Sequence, residues 1–391
     1  MYSNEEINSA VASGALSAEA AASLRAHVAE LRSMPVANEE QFRLVTSFND
    51  IFVAIGVVIM LVAAGAIGQA IVGAFIPAPP FPNETLSEEA LEAAWWVYME
   101  QASYRSAWQW ALGSALVAAT AWGLAEFFTA KRRMALPSII LLLAFVGAIF
   151  AAIFNLGEGL LRDVPEWVGA IFISFAGLIA ALGAWLHWRR FMVPITIAAG
   201  TAALAVTVIG LIAAGLYNTG FEDIENVMLG LTFVAGIGVF LFAMRWDTSD
   251  LQRTTRRSDV AFWLHLLAAP MIAHPVFYSL GVMDGGDAVG IGQALAVVAI
   301  YVLFGLVALA IDRRALLVSA LAYVLVALGL LFDRFGAVEL SFALTALVIG
   351  SALLSLSAFW TPIRSALVSN LPPRVQARLP ESALEGSALT A

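Results

Sequence analysis

Two histidines and two prolines in one apolar segment are the residues whose types and spacing could do chemistry. The segment reads Phe262-Trp-Leu-His265-Leu-Leu-Ala-Ala-Pro270-Met-Ile-Ala-His274-Pro275. On an unbroken helix His265 would lie about 9 Å past Asp259, and His274 about 22 Å past it. Imidazole groups at membrane depth are candidates for binding a ligand or relaying a proton.

The prolines predict that this segment is a bent or broken helix. Pro270 and Pro275 each remove one intrahelical hydrogen bond. Broken helices at membrane depth line a cavity or are buried in protein. One hypothesis is that His274, together with His265, faces a polar cavity. The alternative is that both are packed core histidines whose nitrogens bond to neighbouring carbonyls. They are nine residues apart, which puts them on opposite faces of a straight helix.

Further polar residues lie near the ends of other apolar segments. Glu126 lies within reach of Lys131 or Arg132, which predicts an ion pair at the membrane interface. His187, next to Arg189, is likewise predicted to lie at an interface.

On the opposite side, Asn155 and Glu158 end an apolar segment. They either line an outward-facing mouth or are ordinary interface residues. With Glu126 and the four residues of the proline-containing segment, they complete the set of candidate ligand-binding residues.

The chain lacks the common signatures of catalysis and cofactor binding. It has no cysteine and only four scattered histidines, so no metal site, metal ligand set or catalytic thiol is expected. No phosphate-binding P-loop, His-Glu-x-x-His or Gly-x-Ser-x-Gly pattern occurs. We therefore expect no catalytic residue and no cofactor. An intramembrane enzyme built on the proline-containing segment is the least favoured hypothesis, because no partner acid or nucleophile is evident.

The composition requires lipid as the solvent for much of the chain. Of 391 residues, 61% are hydrophobic and 13% are charged, whereas soluble domains average about 25% charged residues. The net charge of -9 and the spread of the basic residues exclude a nucleic-acid partner. No apolar run precedes Ile51, so we expect no cleavable signal peptide and a retained first span.

A transmembrane helix needs about 20 apolar residues. The sequence predicts an all-α, polytopic bundle of about ten such spans. Their approximate ranges are 51–76, 107–128, 135–154, 166–187, 193–215, 226–244, 260–281, 288–311, 315–332 and 338–360.

The basic residues predict the orientation of these spans. Seventeen of the 20 Lys and Arg residues lie in alternate loops or in the two terminal segments. The exceptions are Arg105, Arg162 and Arg334. Basic residues concentrate in cytosolic loops, so both termini are predicted to be cytosolic.

Three regions are predicted. Residues 1–50 would form a cytosolic helical module, 51–361 the transmembrane domain, and 362–391 a flexible cytosolic tail. A helix near 87–105, rich in Trp and Tyr, would lie along the outer membrane interface or act as a lid. Basic pairs 124 residues apart, at Arg133 and Arg257 and again at Arg190 and Arg314, suggest either a repeat of spans 3–6 in spans 7–10 or only the regular alternation of loops.

The pattern Ile7…Val11…Gly14-x-Leu16-Ser17…Leu24, followed by many spans, resembles a family of predicted bacterial membrane proteins of unknown function. Similar segments of uncharacterised proteobacterial proteins match the stretches 48–52, 132–138, 187–191 and 262–270. The resemblance implies a bacterial inner-membrane protein with a short N-terminal cytosolic module. It carries over no catalytic or binding residue.

Two functions therefore remain in view. The first is transport or binding of an apolar or weakly polar small molecule or a lipid. The second is a structural or sensory role, in which residues 1–50 dock a protein partner. The expected partners are the bilayer and a small-molecule or lipid ligand. A pocket around His274 that opens to one membrane face would favour the first function. A packed bundle without a cavity, whose N-terminal module captures a partner, would favour the second.

Overall fold

The computed structural model describes residues 10–24 except 12, 48–251 except 163, 253, 255–281, 291–314, scattered residues between 316 and 332, and 341–379. Every regular element among these residues is helical, as predicted, and no strand occurs in this part of the chain. Helices are the expected outcome, because a backbone surrounded by lipid must satisfy its hydrogen bonds within its own segment. Most of the predicted 1–50 module lies outside the described residues, as does the end of the tail.

Seven helices are long and apolar enough to cross a membrane, and they follow the order of the first seven predicted spans. The second continues without a break into a π-helical turn, Glu126–Lys131. The helices are α1 Phe48–Phe75, α2 Glu88–Ala125, α3 Ala135–Leu160, α4 Glu166–Phe191, α5 Ile195–Asn218, α6 Ile224–Asp247 and α7 Arg256–Ser279.

The remaining described helices are shorter. They are α8 Ile291–Ile311, α9 Ser341–Ala358, α10 Trp360–Ser369 and α11 Pro373–Gln376. The axes of α9 and α10 differ by 72°, and the pair counts as an eighth span only if it is taken as one bent segment. The predicted ninth span, 315–332, falls largely outside the described residues.

Helix α2 corrects the prediction of a separate helix near 87–105. This segment is the first half of a continuous 38-residue helix, which is about 57 Å long. A hydrocarbon core is only about 30 Å thick, so α2 extends well beyond one end of the bundle. The proline-rich connection packs on this extension, where the Phe81 ring stacks on Tyr98 at 4.9 Å between centroids.

The two arginines that depart from the charge pattern within the described region each join two helices at the acidic end. The Nε of Arg105, on α2, donates to the Ile76 carbonyl at 2.8 Å, just after α1. The guanidinium of Arg162, just after α3, donates to the Glu100 side chain and backbone at 3.2 Å each. A cation at the end of a helix stabilises its unpaired carbonyls. These two side chains therefore have structural roles that the orientation rule does not cover.

Close backbone contacts between small residues bring α1 and α2 together. A Cβ placed on Gly68 would lie 2.6 Å from the Gly113 Cα, closer than real Cβ atoms approach. On the reverse side, a Cβ on Gly113 would lie 3.0 Å from the Gly65 carbonyl oxygen. Packing of this kind replaces the hydrophobic effect as the force between helices in lipid.

The four turns at the basic end share one backbone feature. Each contains a non-glycine residue with φ between 53° and 56°, namely Arg133, Met192, Arg253 and Asp312. This left-handed conformation costs roughly 1–2 kcal/mol for a residue with a side chain, so surrounding contacts must hold it in place. The first and third of these residues are 120 positions apart, and so are the second and fourth. The helices are thus built as successive hairpins of similar length.

We expect Gly68→Leu to lower the free energy of unfolding by about 1–3 kcal/mol, because the added side chain overlaps the backbone of α2. Gly56→Leu, on the same helix but at a position where an added Cβ would meet no atom within 4 Å, should leave stability unchanged or slightly higher. Thermal unfolding of the two purified variants in one detergent measures the difference. Equal transition temperatures would show that the contact between Gly68 and Gly113 is not tight.

Candidate ligand-binding cavity and buried ionic network

A cavity of about 570 Å³ opens at the basic end of the bundle. Three structural elements form its walls: the turn from α2 to α3, the turn from α4 to α5, and the first two turns of α7. Its lining residues are Thr129, Ala130, Arg133, Met134, Ala135, Ser138, Ile139, Arg190, Phe191, Met192, Val193, Pro194, Arg256, Asp259 and Trp263. The volume lies within the range of about 300–1,000 Å³ that is usual for small-molecule sites.

The charged part of the lining is predominantly basic. Three arginines, one from each wall, face a single carboxylate, Asp259. Arg190 is also paired with Glu126, at 2.9 Å and 2.6 Å between nitrogen and oxygen atoms. The predicted ion pair of Glu126 therefore exists, but its partner is Arg190 of α4 rather than Lys131 or Arg132. Even with Glu126 counted, the cavity retains a net positive charge.

Thr129 brings an unsatisfied hydroxyl to the cavity. Its side chain is 8% exposed, and its Oγ1 has no hydrogen-bond partner among the described residues. Several threonines in these helices donate to the carbonyl four positions earlier, as Thr201 does to Ile197 at 2.8 Å and Thr207 to Ala203 at 2.9 Å. Thr129 differs because it lies in the π-helical turn, whose wider register displaces that carbonyl.

Two of the helices that begin at the cavity begin without a side-chain cap. Met134 precedes α3 and Pro194 precedes α5, and neither residue gives a capping hydrogen bond. Helix α7 is capped instead, because the Thr255 hydroxyl accepts from the Arg257 amide at 3.2 Å. Backbone carbonyls take the place of a side-chain cap, because the Ser138 amide donates to Met134 at 3.2 Å and the Thr196 amide donates to Val193 at 3.0 Å.

The apolar side of the cavity rests on a buried aromatic cluster that corrects the interpretation of His187. The sequence predicts an interfacial histidine, but His187 is 0% exposed. Its ring lies 4.5 Å from that of Phe191, which lines the cavity, and it also contacts Trp122 and Phe145. Its Nδ1 lies 3.4 Å from the Thr196 hydroxyl. His187 thus supports the cavity wall from behind.

A buried ionic network lies at the same end, between α6, α7 and α8. Asp247, the last residue of α6, accepts from His265 Nε2 at 2.9 Å and from Arg313 Nε at 3.2 Å. Arg313 Nη2 also donates to Asp247 Oδ1 and to the carbonyl and hydroxyl oxygens of Ser258. Asp247 and Arg313 are each 2% exposed, and His265 is fully buried.

Asp312 extends this network toward α10. Its carboxylate accepts from Arg253 Nη1 at 2.8 Å and from Trp360 Nε1 at 2.7 Å. Arg364 Nε lies 3.8 Å from the same carboxylate. Asp312 and the adjacent Arg313 thus connect the end of α8 to α6, α7 and α10.

Apart from His265, sequence reasoning missed the residues of this network. Asp247 and Arg313 lie just outside the predicted spans, where a charge is expected to face water and needs no partner. The available signal is the presence of Asp247, Asp250, Asp259 and Asp312 in loops that are otherwise basic. That signal indicates local pairing but does not say which side chains become buried.

The structure separates the predicted site residues rather than gathering them. Of the seven candidates, only Glu126 lies beside the cavity, through Arg190. His265 belongs to the ionic network. His274 is half-buried with its ring 6.1 Å from Tyr278. At the acidic end, Asn155 donates to the Ala151 carbonyl of its own helix at 2.7 Å, and Glu158 is exposed.

The sequence predicts a bent or broken helix at Pro270 and Pro275, and the structure shows that the helix is not broken. The helix runs continuously from Arg256 to Ser279 with both prolines inside it. Close packing holds it there, because a Cβ on Gly236 of α6 would meet the Met271 backbone at 2.9 Å. Neighbouring helices allow proline inside a membrane helix in this way.

Comparison with known proteins finds no matching family model, no similar curated protein and no similar solved structure. What the structure defines is a membrane-spanning helical protein with a basic cavity at one end.

Breaking the buried pair should be far more damaging than breaking an exposed one. We expect Arg313→Met to cost about 3–5 kcal/mol, because Asp247 remains buried without its main partner. Arg162→Met removes the same side chain from an exposed pair, with 39% and 65% side-chain exposure, and should cost less than about 1 kcal/mol. Thermal unfolding in a single detergent compares the two variants.

A second substitution tests whether the lost stability comes from the unpaired Asp247 charge or from lost packing around Arg313. Adding Asp247→Leu to Arg313→Met removes the uncompensated carboxylate, so the double variant should be more stable than Arg313→Met alone. A double variant that is less stable would contradict the assignment of the loss to a buried, unpaired charge.

Proposed function

We propose that this protein binds or transports a lipid, or an apolar to weakly polar small molecule, as a multi-pass protein of the bacterial inner membrane. The observation that carries the proposal is the 570 Å³ cavity at the basic end. We also propose that the protein is a member of the family that its sequence resembles.

The lining of the cavity supports an amphiphilic ligand. One side consists of apolar side chains, among them Ile139, Phe191 and Met192, and the other carries the arginines and Thr129. A site of this kind buries the apolar part of a ligand and orients it through a few polar contacts. Because the cavity lies at the ends of the spans, both a lipid headgroup and a solute from the adjacent aqueous phase have a short path to it.

We also propose that the chain has ten spans and that both termini are cytosolic. Seven long apolar helices, the shorter apolar helix Leu295–Ile311 and the bent pair α9–α10 support this arrangement. The left-handed turns, which recur at alternate loops with the basic residues, support it too. The cavity would then open toward the cytosol.

Filling the cavity should remove the ligand. We expect the wild-type protein, purified in native-lipid nanodiscs, to retain a reproducible small-molecule or lipid adduct in native mass spectra. Ala135→Trp places a large ring at the cavity wall and should abolish that adduct. Gly147→Trp, on the same helix but exposed and with no atom within 4 Å of its Cβ position, should retain it.

The adduct experiment can contradict the proposal in two ways. An adduct that survives Ala135→Trp lies elsewhere, and the proposal for this cavity is then wrong. If no form of the protein retains an adduct, the structural or sensory role becomes the better account.

The orientation can be tested cleanly because the chain has no cysteine. We expect Thr85→Cys, in the acidic connection before α2, to react with a membrane-impermeant maleimide on intact spheroplasts. Ser249→Cys, in the basic turn after α6, should react only after the membrane is permeabilised. Both side chains are exposed in the structure. The opposite pattern of labelling would reverse the proposed orientation.

A further inference from the structure

We infer that the cavity at the basic end recognises a phosphate group on its ligand. This inference rests on the proposed function and narrows it to a chemical class, the phosphate-bearing amphiphiles. Its evidence is the chemistry of the lining, which goes beyond the size and position of the cavity.

The lining of the cavity carries a net positive charge. Arg133, Arg190 and Arg256 enter from three different walls, and Arg133 has no ion-pair partner among the described residues. The net positive charge that remains after Asp259 and Glu126 are counted favours an anion. Arginine is the side chain best suited to phosphate, because its planar guanidinium donates two parallel hydrogen bonds.

The unsatisfied hydroxyl of Thr129 supports a ligand independently of the charge. Its hydroxyl is buried at the cavity and makes no hydrogen bond to any described residue. A buried polar group without a partner costs about 1–3 kcal/mol. The π-helical turn that displaces the usual carbonyl is a feature often found at functional sites. Thr129 Oγ1 exposes less than 1 Å² of surface, so a ligand oxygen would supply the missing partner once the side chain rotates toward the cavity.

Geometry distinguishes phosphate from carboxylate. The guanidinium donors approach from the turn before α3, the end of α4 and the start of α7. A carboxylate presents two oxygens in one plane. A tetrahedral phosphate presents oxygens toward several walls at once, which fits donors arranged around a cavity. The apolar side chains opposite leave room for the rest of an amphiphile.

The test compares two lipids that differ only in the phosphate. Purified full-length protein in detergent is titrated with phosphatidic acid or with diacylglycerol of the same acyl chains, and binding is read by native mass spectrometry. We expect phosphatidic acid to bind at least tenfold more tightly. Arg133→Gln combined with Arg256→Gln should weaken its binding about ten- to a hundredfold, since charge-assisted hydrogen bonds are lost. Diacylglycerol binding should not change.

Two further variants complete the design. Thr129→Val keeps the shape of the side chain and should weaken phosphatidic acid binding about fivefold or more. Arg132→Gln removes a neighbouring charge that does not line the cavity and should have no effect. Thermal unfolding confirms that each variant is folded.

Competition with glycerol 3-phosphate identifies the source of the phosphate. Displacement of phosphatidic acid at comparable concentration supports the site and assigns it to a soluble ester. Retained phosphatidic acid supports the site and assigns it to a lipid headgroup.

Failure of the phosphate inference can be distinguished from failure of the proposed function. Equal binding of the two lipids, with both lost in Ala135→Trp, overturns the phosphate inference and leaves the proposed function standing. A preference for phosphatidic acid that Arg132→Gln weakens as much as the double variant overturns the inference as well, because bulk charge would explain it. Absence of binding by either lipid overturns the phosphate inference, whereas the proposed function is overturned only if the retained adduct survives Ala135→Trp or no adduct is found.

Discussion

The ion pair between Asp247 and Arg313 is the interaction on which the basic end of the bundle depends. Two charges that are each 2% exposed are stable only when they satisfy one another, because the cost of removing either from water is several kcal/mol. Asp247 ends α6, Arg313 follows α8, and His265 and Ser258 of α7 complete the contacts. The pair therefore determines how three helices meet, and Asp312 extends the same constraint to α10.

The two halves of the basic end use their charges differently. Around Asp247 and Asp312, arginines and carboxylates are paired with one another and largely buried. Around the cavity, Arg133, Arg190 and Arg256 outnumber the nearby carboxylates and remain accessible. The same residue type thus stabilises packing in one half and leaves a positive potential for a ligand in the other. A single fold accommodates both because each hairpin turn delivers basic side chains to the same end.

Much of the fold could be predicted from composition and spacing, and much of the site could not. Apolar segments of about 20 residues indicate helices, because lipid permits little else, and the first seven helices follow the predicted order. The prolines do not break α7, which packs closely against Gly236. His187 was placed at an interface, although Phe191 and Trp122 enclose it. In each case a neighbouring helix, distant in sequence, decides the outcome.

What the sequence by itself determined is the class of protein, a membrane-spanning bundle of helices with basic residues in alternate loops. That information is local, since a run of apolar residues and the charges beside it act on the same short segment. Only the tertiary structure decided which charges are buried, that Glu126 pairs with Arg190 rather than with Lys131, and that Thr129 lines a cavity without a partner among the described residues. These facts depend on how turns far apart in the chain meet, because burial and hydrogen bonding are properties of the packed helices and not of any one segment.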